Sequence, residues 1–307
     1  MRVLVVGGSG LMGAATIRHL LAAGHKPTNL ARGGTVTASG GLARPPLPDG
    51  VPTLLCDRAT EGPKLRRLLA EGGFDAIVDY FAMTPEHIED VVAAFREGSS
   101  TDLRSYIFIS TNMVYPGGPG GFDISPLRPL VPEGLADIAG AASAPDDYGG
   151  LKLKCEAVLQ QAWQDHGFPF TTIRPPSVIG PACDLRHELL QRVAMGLPVP
   201  ASRDRPLATA PEGGFRLAFS EDVASLCLAV LAAPEEKVRG ESFNVAMEEA
   251  LSLEDYIWAC REAAPPGVAA AWPSREAAAA QLEALGPPLR SYEGQVRQSL
   301  VRSCSAH

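Results

Sequence analysis

The chain has 307 residues, 46% of them hydrophobic and 20% charged, with a formal net charge of −8. That is the composition of a globular protein large enough for one big domain or two modest ones. An acidic chain with scattered arginines gives no footprint for nucleic acid. The apolar start is too short for a signal-peptide core, and no apolar run is long enough to span a bilayer, so a cytoplasmic protein is expected. Six cysteines lie far apart without a Cys-x-x-Cys pair and read as reduced thiols. No His, Cys or carboxylate cluster has ligand spacing, and no metal is expected.

In chain order, "RVLVVG" (2–7) is a continuous apolar run ending in glycine, the pattern of a strand buried on both faces. A helix over 11–23 follows, closed by Gly24. Strands are expected at "TNLA" (28–31) and "TLLC" (53–56), separated by a loop rich in proline and glycine. "GPKLRRLLAEGG" (62–73) is helical, "DAIVDYFA" (75–82) a strand, and "PEHIEDVVAAFREG" (85–98) a helix with proline at its start. "SYIFIS" (105–110) is a strand, 148–167 a long helix and "PFTTIR" (169–174) a strand. Such alternation predicts an α/β fold with a Rossmann-type, doubly wound parallel sheet. After Pro175 the rhythm changes, and 219–233 and 241–246 read as a return to the sheet. A nucleotide-binding lobe over 1–175, completed by about 215–248, is therefore expected. A smaller lobe takes 176–214 and 249–307.

"VVGGSGLMGAA" places Gly7, Gly10 and Gly13 at three-residue spacing between the first strand and helix. In a dinucleotide site the first glycine makes the turn, the second admits the diphosphate, and the third lets helix and strand pack closely. The diphosphate then rests on amides at the helix N-terminus, contributed by Ser9, Leu11 and Met12 with the glycines. The end of the second strand selects the cofactor. Ala31 is neutral there and Arg32 is basic, which favours NADP over NAD. An arginine stacking over adenine with either cofactor is the alternative.

Tyr148 and Lys152 lie four apart and share a helix face. No other tyrosine of the six is followed by lysine at that spacing. A phenol titrates near pH 10, and a nearby ammonium and the positive charge of an oxidised nicotinamide would lower that value. Tyr148 could then exchange a proton with a substrate oxygen while hydride moves at carbon, and Lys152 could hold the ribose of the cofactor. Asp146 and Asp147 are placed to cap this helix, which puts Gly149 and Gly150 in its first turn, leaving room for cofactor and substrate. Ser110 and Thr111 end the strand "YIFIST". Successive side chains alternate, so only one hydroxyl faces the site.

Together these residues resemble the short-chain dehydrogenase/reductase superfamily, extended type, the group called NAD-dependent epimerase/dehydratase. "GGSGLMG" resembles its glycine loop, "CDR" (56–58) its adenine-side motif, "ISTNMVY" its serine/threonine strand, "YGGLK" its Tyr–Lys pair, and "RPPSVIGP" and "RLAFSEDVA" its later segments. The resemblance implies that Thr111, Tyr148 and Lys152 form the catalytic set. It implies that Asp57 and Arg58 lie at the adenine and that Ala82 lines the cofactor groove. Arg216 falls where sugar-nucleotide enzymes of the group bind a phosphate. Dehydratases of the group carry Asp-Glu after the threonine, where Asn112 and Met113 stand here, so dehydration is not expected. The segment 116–147 reads as a substrate-covering loop. The expected activity is NAD(P)-dependent hydride transfer at a carbonyl or secondary alcohol. The alternatives are a nucleotide-sugar epimerase retaining NAD and a non-enzymatic dinucleotide-sensing or RNA-associated relative. The expected partner is a small molecule, a sugar nucleotide or a secondary-metabolite carbonyl, with no nucleic acid and no membrane. Whether the chain forms a homodimer stays open.

Overall fold

A computed structural model describes residues 1–33, 46–97, 103–115, 138, 140–144, 146–181, 216–248, 259 and 262. The chain divides into two compact units. The first comprises Met1–Gly121, Arg128–Ala182 and Leu217–Met247, and nearly all described residues belong to it. Most of the smaller lobe expected over 176–214 and 249–307, and residues 116–137 of the covering loop expected over 116–147, lie outside the described residues.

The first unit is built on a seven-stranded parallel sheet. Its strands are β1 (Arg2–Val6), β2 (Lys26–Ala31), β3 (Thr53–Leu55), β4 (Ala76–Asp79), β5 (Ser105–Ile109), β6 (Phe170–Arg174) and β9 (Ser242–Asn244). The order across the sheet is β3-β2-β1-β4-β5-β6-β9, and every neighbouring pair is parallel. The helices are α1 (Leu11–Ala22), α2 (Gly62–Gly72), α3 (Pro85–Glu97), α4 (Tyr148–His166) and α5 (Ser220–Ala232). Two short strands, β7 (Ser177–Ile179) and β8 (Leu217–Phe219), pair with each other apart from the main sheet. The segment "RPPSVIGP" had shown no strand signal: three residues are too few for a period.

Alternation in β1 decides the two layers. Leu4 and Val6 join a core with Leu65 and Leu69 of α2, Ile88 and Val91 of α3, and Leu159 of α4. Val3 and Val5 join the opposite core with Ile17 and Leu20 of α1 and Cys227 and Val230 of α5. Both faces of the sheet are thus covered by helices, the arrangement that parallel sheets require. Because all strands point one way, their carboxyl ends gather along one edge. The chain reverses its winding between β1 and β4, and ligands of open α/β sheets bind at such a switch point.

Candidate active site

Beyond β1 the chain turns sharply. Gly7 has φ +82°, a left-handed conformation that favours glycine. The Gly10 amide donates to the Gly7 carbonyl at 2.9 Å, closing the turn before α1. A Cβ on Gly13 would run into the Gly7 carbonyl oxygen and lie 2.7 Å from the Gly8 Cα, so only glycine lets α1 start this close to β1. Gly8 is less constrained: a Cβ there would lie 2.5 Å from Ile17 Cδ1 and 2.6 Å from Asn29 Oδ1, side-chain ends rather than backbone. Ser9 accepts from the Asn29 amide at 3.2 Å. Asn29, buried in the middle of β2, thus anchors the loop from below. Gly10 gives α1 no side-chain cap, and no acidic residue stands in the first turn beside Leu11 and Met12. Unsatisfied amides at such a helix start suit an anion.

Beside this loop, Arg32 follows β2 and lies over the Phe81 ring, 4.9 Å from its centroid. Asp57 accepts from the Ala59 amide at 3.0 Å, and its own amide donates to Glu61 at 2.8 Å. Arg58 is turned inward. It is 4% exposed, and its guanidinium donates to both oxygens of Asp79 and to the His87 carbonyl. Ala82 is fully buried, and its carbonyl accepts from Lys152.

The end of β5 separates two hydroxyls, as alternation requires. Ser110 donates to Glu156 at 2.5 Å, within a buried group where Glu156 pairs with Arg174 and Arg174 donates to Tyr115 at 2.9 Å. Thr111 faces the other way. Its hydroxyl accepts from the Met113 amide at 3.2 Å, starting a 3₁₀ turn at Asn112–Val114. Met113 is 40% exposed.

Tyr148 opens α4. Asp147 caps the helix by accepting from the Gly150 amide at 2.7 Å, while Asp146 pairs with Lys154 instead. The reason for Gly149 differs from the expected one. A Cβ there would lie 2.5 Å from the Met113 carbonyl oxygen, so the glycine brings α4 against the Thr111 turn rather than clearing space for a ligand. That contact is what sets Tyr148 beside Thr111.

Lys152, one turn on, is 1% exposed. Its Nζ donates to the carbonyls of Ala82 at 2.7 Å and Ile109 at 2.8 Å, leaving one N–H for another acceptor. It lies 4.7 Å from the Phe108 ring centroid and 5.9 Å from that of Tyr148. Burial pulls its pKa down from 10.5 to about 8, against the opposing charge of Asp79. The Tyr148 pKa is not lowered as the spacing suggested. Burial raises it, and the Thr111 hydroxyl beside it works the other way. The phenol is therefore protonated at neutral pH.

Asp79 was not singled out in the sequence, although a carboxylate ending the apolar run "AIVD" was a visible signal. Arg216 directly precedes β8. Among the described residues no group of three or more His, Cys, Asp or Glu side chains could hold a metal. No helix among them is long and apolar enough to cross a membrane.

A parallel sheet of this order, a glycine turn after β1, Thr111 beyond the end of β5, and Tyr148 and Lys152 on α4 are features of a Rossmann-type protein of the extended short-chain dehydrogenase/reductase class. Residues 3–246 match the model of the NAD dependent epimerase/dehydratase family, and the chain belongs to that family. It is 26% identical over 253 residues to 2'-dehydrokanamycin reductase of Streptomyces kanamyceticus, covering 82% of this chain and 63% of that protein. It is also 26% identical over 272 residues to the chloroplast stem-loop binding protein of 41 kDa b of Arabidopsis thaliana, covering 85% of this chain and 63% of that one. The chain thus spans under two thirds of the length of these curated relatives. Among solved structures, the Thermus thermophilus UDP-glucose 4-epimerase complex with NAD superposes with a TM-score of 0.64 at 23% identity, covering 86% of this chain and 83% of that one. The dTDP-glucose 4,6-dehydratase of Bacillus anthracis, also with NAD, gives 0.63 at 15% identity, covering 87% and 82%. These likenesses establish the fold.

Proposed function

We propose that the protein is an NAD(P)-dependent reductase of a small-molecule carbonyl, with Thr111, Tyr148 and Lys152 as its catalytic set. The observation that carries this reading is the placement of the Tyr148 side chain beside the Thr111 hydroxyl, held there by the contact of Gly149 with Met113. A nicotinamide dinucleotide supplies hydride at carbon when bound. Its diphosphate fits the uncapped start of α1, where Gly7, Ser9, Gly10, Leu11, Met12 and Gly13 offer backbone and no negative side chain. Thr111 orients the carbonyl oxygen. Tyr148 gives that oxygen a proton, which a neutral phenol can do and a phenolate cannot. Lys152 keeps its free N–H for the ribose.

A protonated phenol is the form that reduction needs. In the reverse direction the same group, with an oxidised nicotinamide beside it, would serve as the base. The reductase among the relatives is in keeping with reduction, and 2'-dehydrokanamycin is a reasonable first ketone to assay. Neutral Ala31 and basic Arg32 support NADP over NAD, with Asp57 and Ala82 beside the adenine and the groove. Substrate binding is assigned to the lobe of 176–214 and 249–307, with Arg216 meeting the phosphate when the substrate is a sugar nucleotide.

The test is Tyr148→Phe, assayed with NADPH and 2'-dehydrokanamycin or UDP-linked 4-ketohexoses. Turnover is expected to fall by about 10²–10⁴ while NADPH binding is unchanged. Near-normal turnover removes Tyr148 from proton transfer. Tightly retained NAD in freshly purified protein, with no net consumption of NADPH, favours epimerisation instead.

A further inference from the structure

Lys152 is held by two carbonyls, and one of these is itself held from behind. Asp79 ends β4 fully buried. Its Oδ1 accepts from the amides of Phe81 and Ala82, each at 2.9 Å. This fixes the backbone so that the Ala82 carbonyl meets Lys152 Nζ at 2.7 Å. The same carboxylate accepts from Arg58 Nη1 at 2.9 and 2.7 Å and from the Tyr106 hydroxyl at 2.8 Å. Arg58 Nη2 donates to the His87 carbonyl at 2.7 Å, tying the pair to α3. Stability is a poor reason for such a pair, because buried ion pairs replaced by apolar residues of similar volume often leave a protein no less stable.

We propose that the buried Arg58–Asp79 pair is a positioning device for Lys152, acting through the 81–82 backbone and the Ala82 carbonyl. The proposal rests on the role given to Lys152 above, and it moves Arg58 from the cofactor to the support beneath it.

An electrostatic consequence follows. The ionisable groups around Nζ are Asp79 and Arg58 beneath the turn, Tyr106 on Asp79, and Tyr148, Cys155 and Glu156 on α4. Among them the Asp79 charge favours the ammonium and the Arg58 charge opposes it. Asp79→Asn keeps an acceptor for the Phe81 and Ala82 amides but leaves Arg58 unbalanced, so Lys152 releases its proton at lower pH. Arg58→Gln leaves the carboxylate unbalanced, and Lys152 holds its proton to higher pH. These shifts follow from the two charges alone, so positioning is read from Asp79→Ala, which takes the acceptor away from the Phe81 and Ala82 amides. NADPH affinity at about pH 6, where Lys152 keeps its proton, is expected to fall in Asp79→Ala well below that of Asp79→Asn. Equal affinity in the two overturns the proposal.

The chain has five lysines, so labelling lysine with ¹³C at Cε and titrating the cofactor-free protein by NMR reads Lys152 directly, its resonance identified by its absence in Lys152→Arg. The wild-type midpoint is expected near pH 8. It is expected to fall by about one unit in Asp79→Asn and to rise by a similar amount in Arg58→Gln. If one variant does not fold, the sign of the shift in the other decides. A midpoint unchanged or moved in the wrong direction overturns the proposal. The role of Lys152 itself is read separately, from the loss of NADPH affinity in Lys152→Ala, so the two ideas fail independently.

Discussion

Tyr148 donates a proton only while its phenol is intact, and Lys152 offers full charge only below about pH 8. The two ionisations give the site a pH dependence of definite sign. Lys152 has a folded pKa below its unfolded value near 10.5, so the unfolded chain binds more protons between about pH 8 and 10.5, and this group adds to stability as pH rises through that window. Cofactor affinity moves the opposite way if the ammonium meets the ribose. NADPH dissociation constants measured from pH 6.5 to 9.5 are expected to be flat at first and to weaken above about pH 8, and to lose this step in Lys152→Ala. A step that persists in that variant assigns it to another group. Arg32→Ala is expected to weaken NADPH far more than NADH, because only the former carries a 2′-phosphate. Equal losses would leave Arg32 its place over Phe81 alone. Asn112 and Met113 carry no acid or base for elimination, so dTDP-glucose is expected to give no 4-keto-6-deoxy product.

Among the elements, α4 carries the most consequence for the site. Its start is fixed by the Asp147 cap and by Gly149 on the Met113 backbone. Asp147→Ala is expected to cost about 1 kcal/mol of stability. Gly149→Ala is expected to cost about 1–3 kcal/mol, since backbone must give way to the new methyl. It is also expected to lower turnover further than Asp147→Ala does, because it separates Tyr148 from Thr111. Thermal unfolding and NADPH-dependent turnover on the same samples check both. An equal effect on turnover would mean that the Gly149 contact only supports folding. The cap and the tyrosine–lysine spacing were legible in the sequence, because each follows from helical periodicity. Strand alternation said only that one of Ser110 and Thr111 faces the site, and the family resemblance pointed to Thr111. The purpose of Gly149 was not, since it depends on a segment 36 residues earlier. The same holds for Arg58, which an adjacent motif pointed at the cofactor and which a long-range partner on β4 draws inward.

At the scale of the whole unit, alternating strand and helix patterns foretold the parallel sheet, and with it the carboxyl edge to which the site is assigned. They could not foretell β7, which forms by pairing with β8 rather than by any pattern of its own. Asp79 was hidden for a related reason: a single carboxylate in an apolar strand has meaning only once Arg58 and Tyr106 are seen to surround it. The carboxyl edge of this sheet gathers the glycine turn, Thr111, Tyr148 and Lys152, and the central claim is that this edge binds a nicotinamide dinucleotide. Calorimetric titration of the purified chain with NADPH and NADH tests it most directly. One site per chain is expected, tighter for NADPH and greatly weakened by Gly13→Ala, whose new methyl would collide with the Gly7 and Gly8 backbone. Absence of binding to both nucleotides, or binding that Gly13→Ala leaves unchanged, would contradict the account.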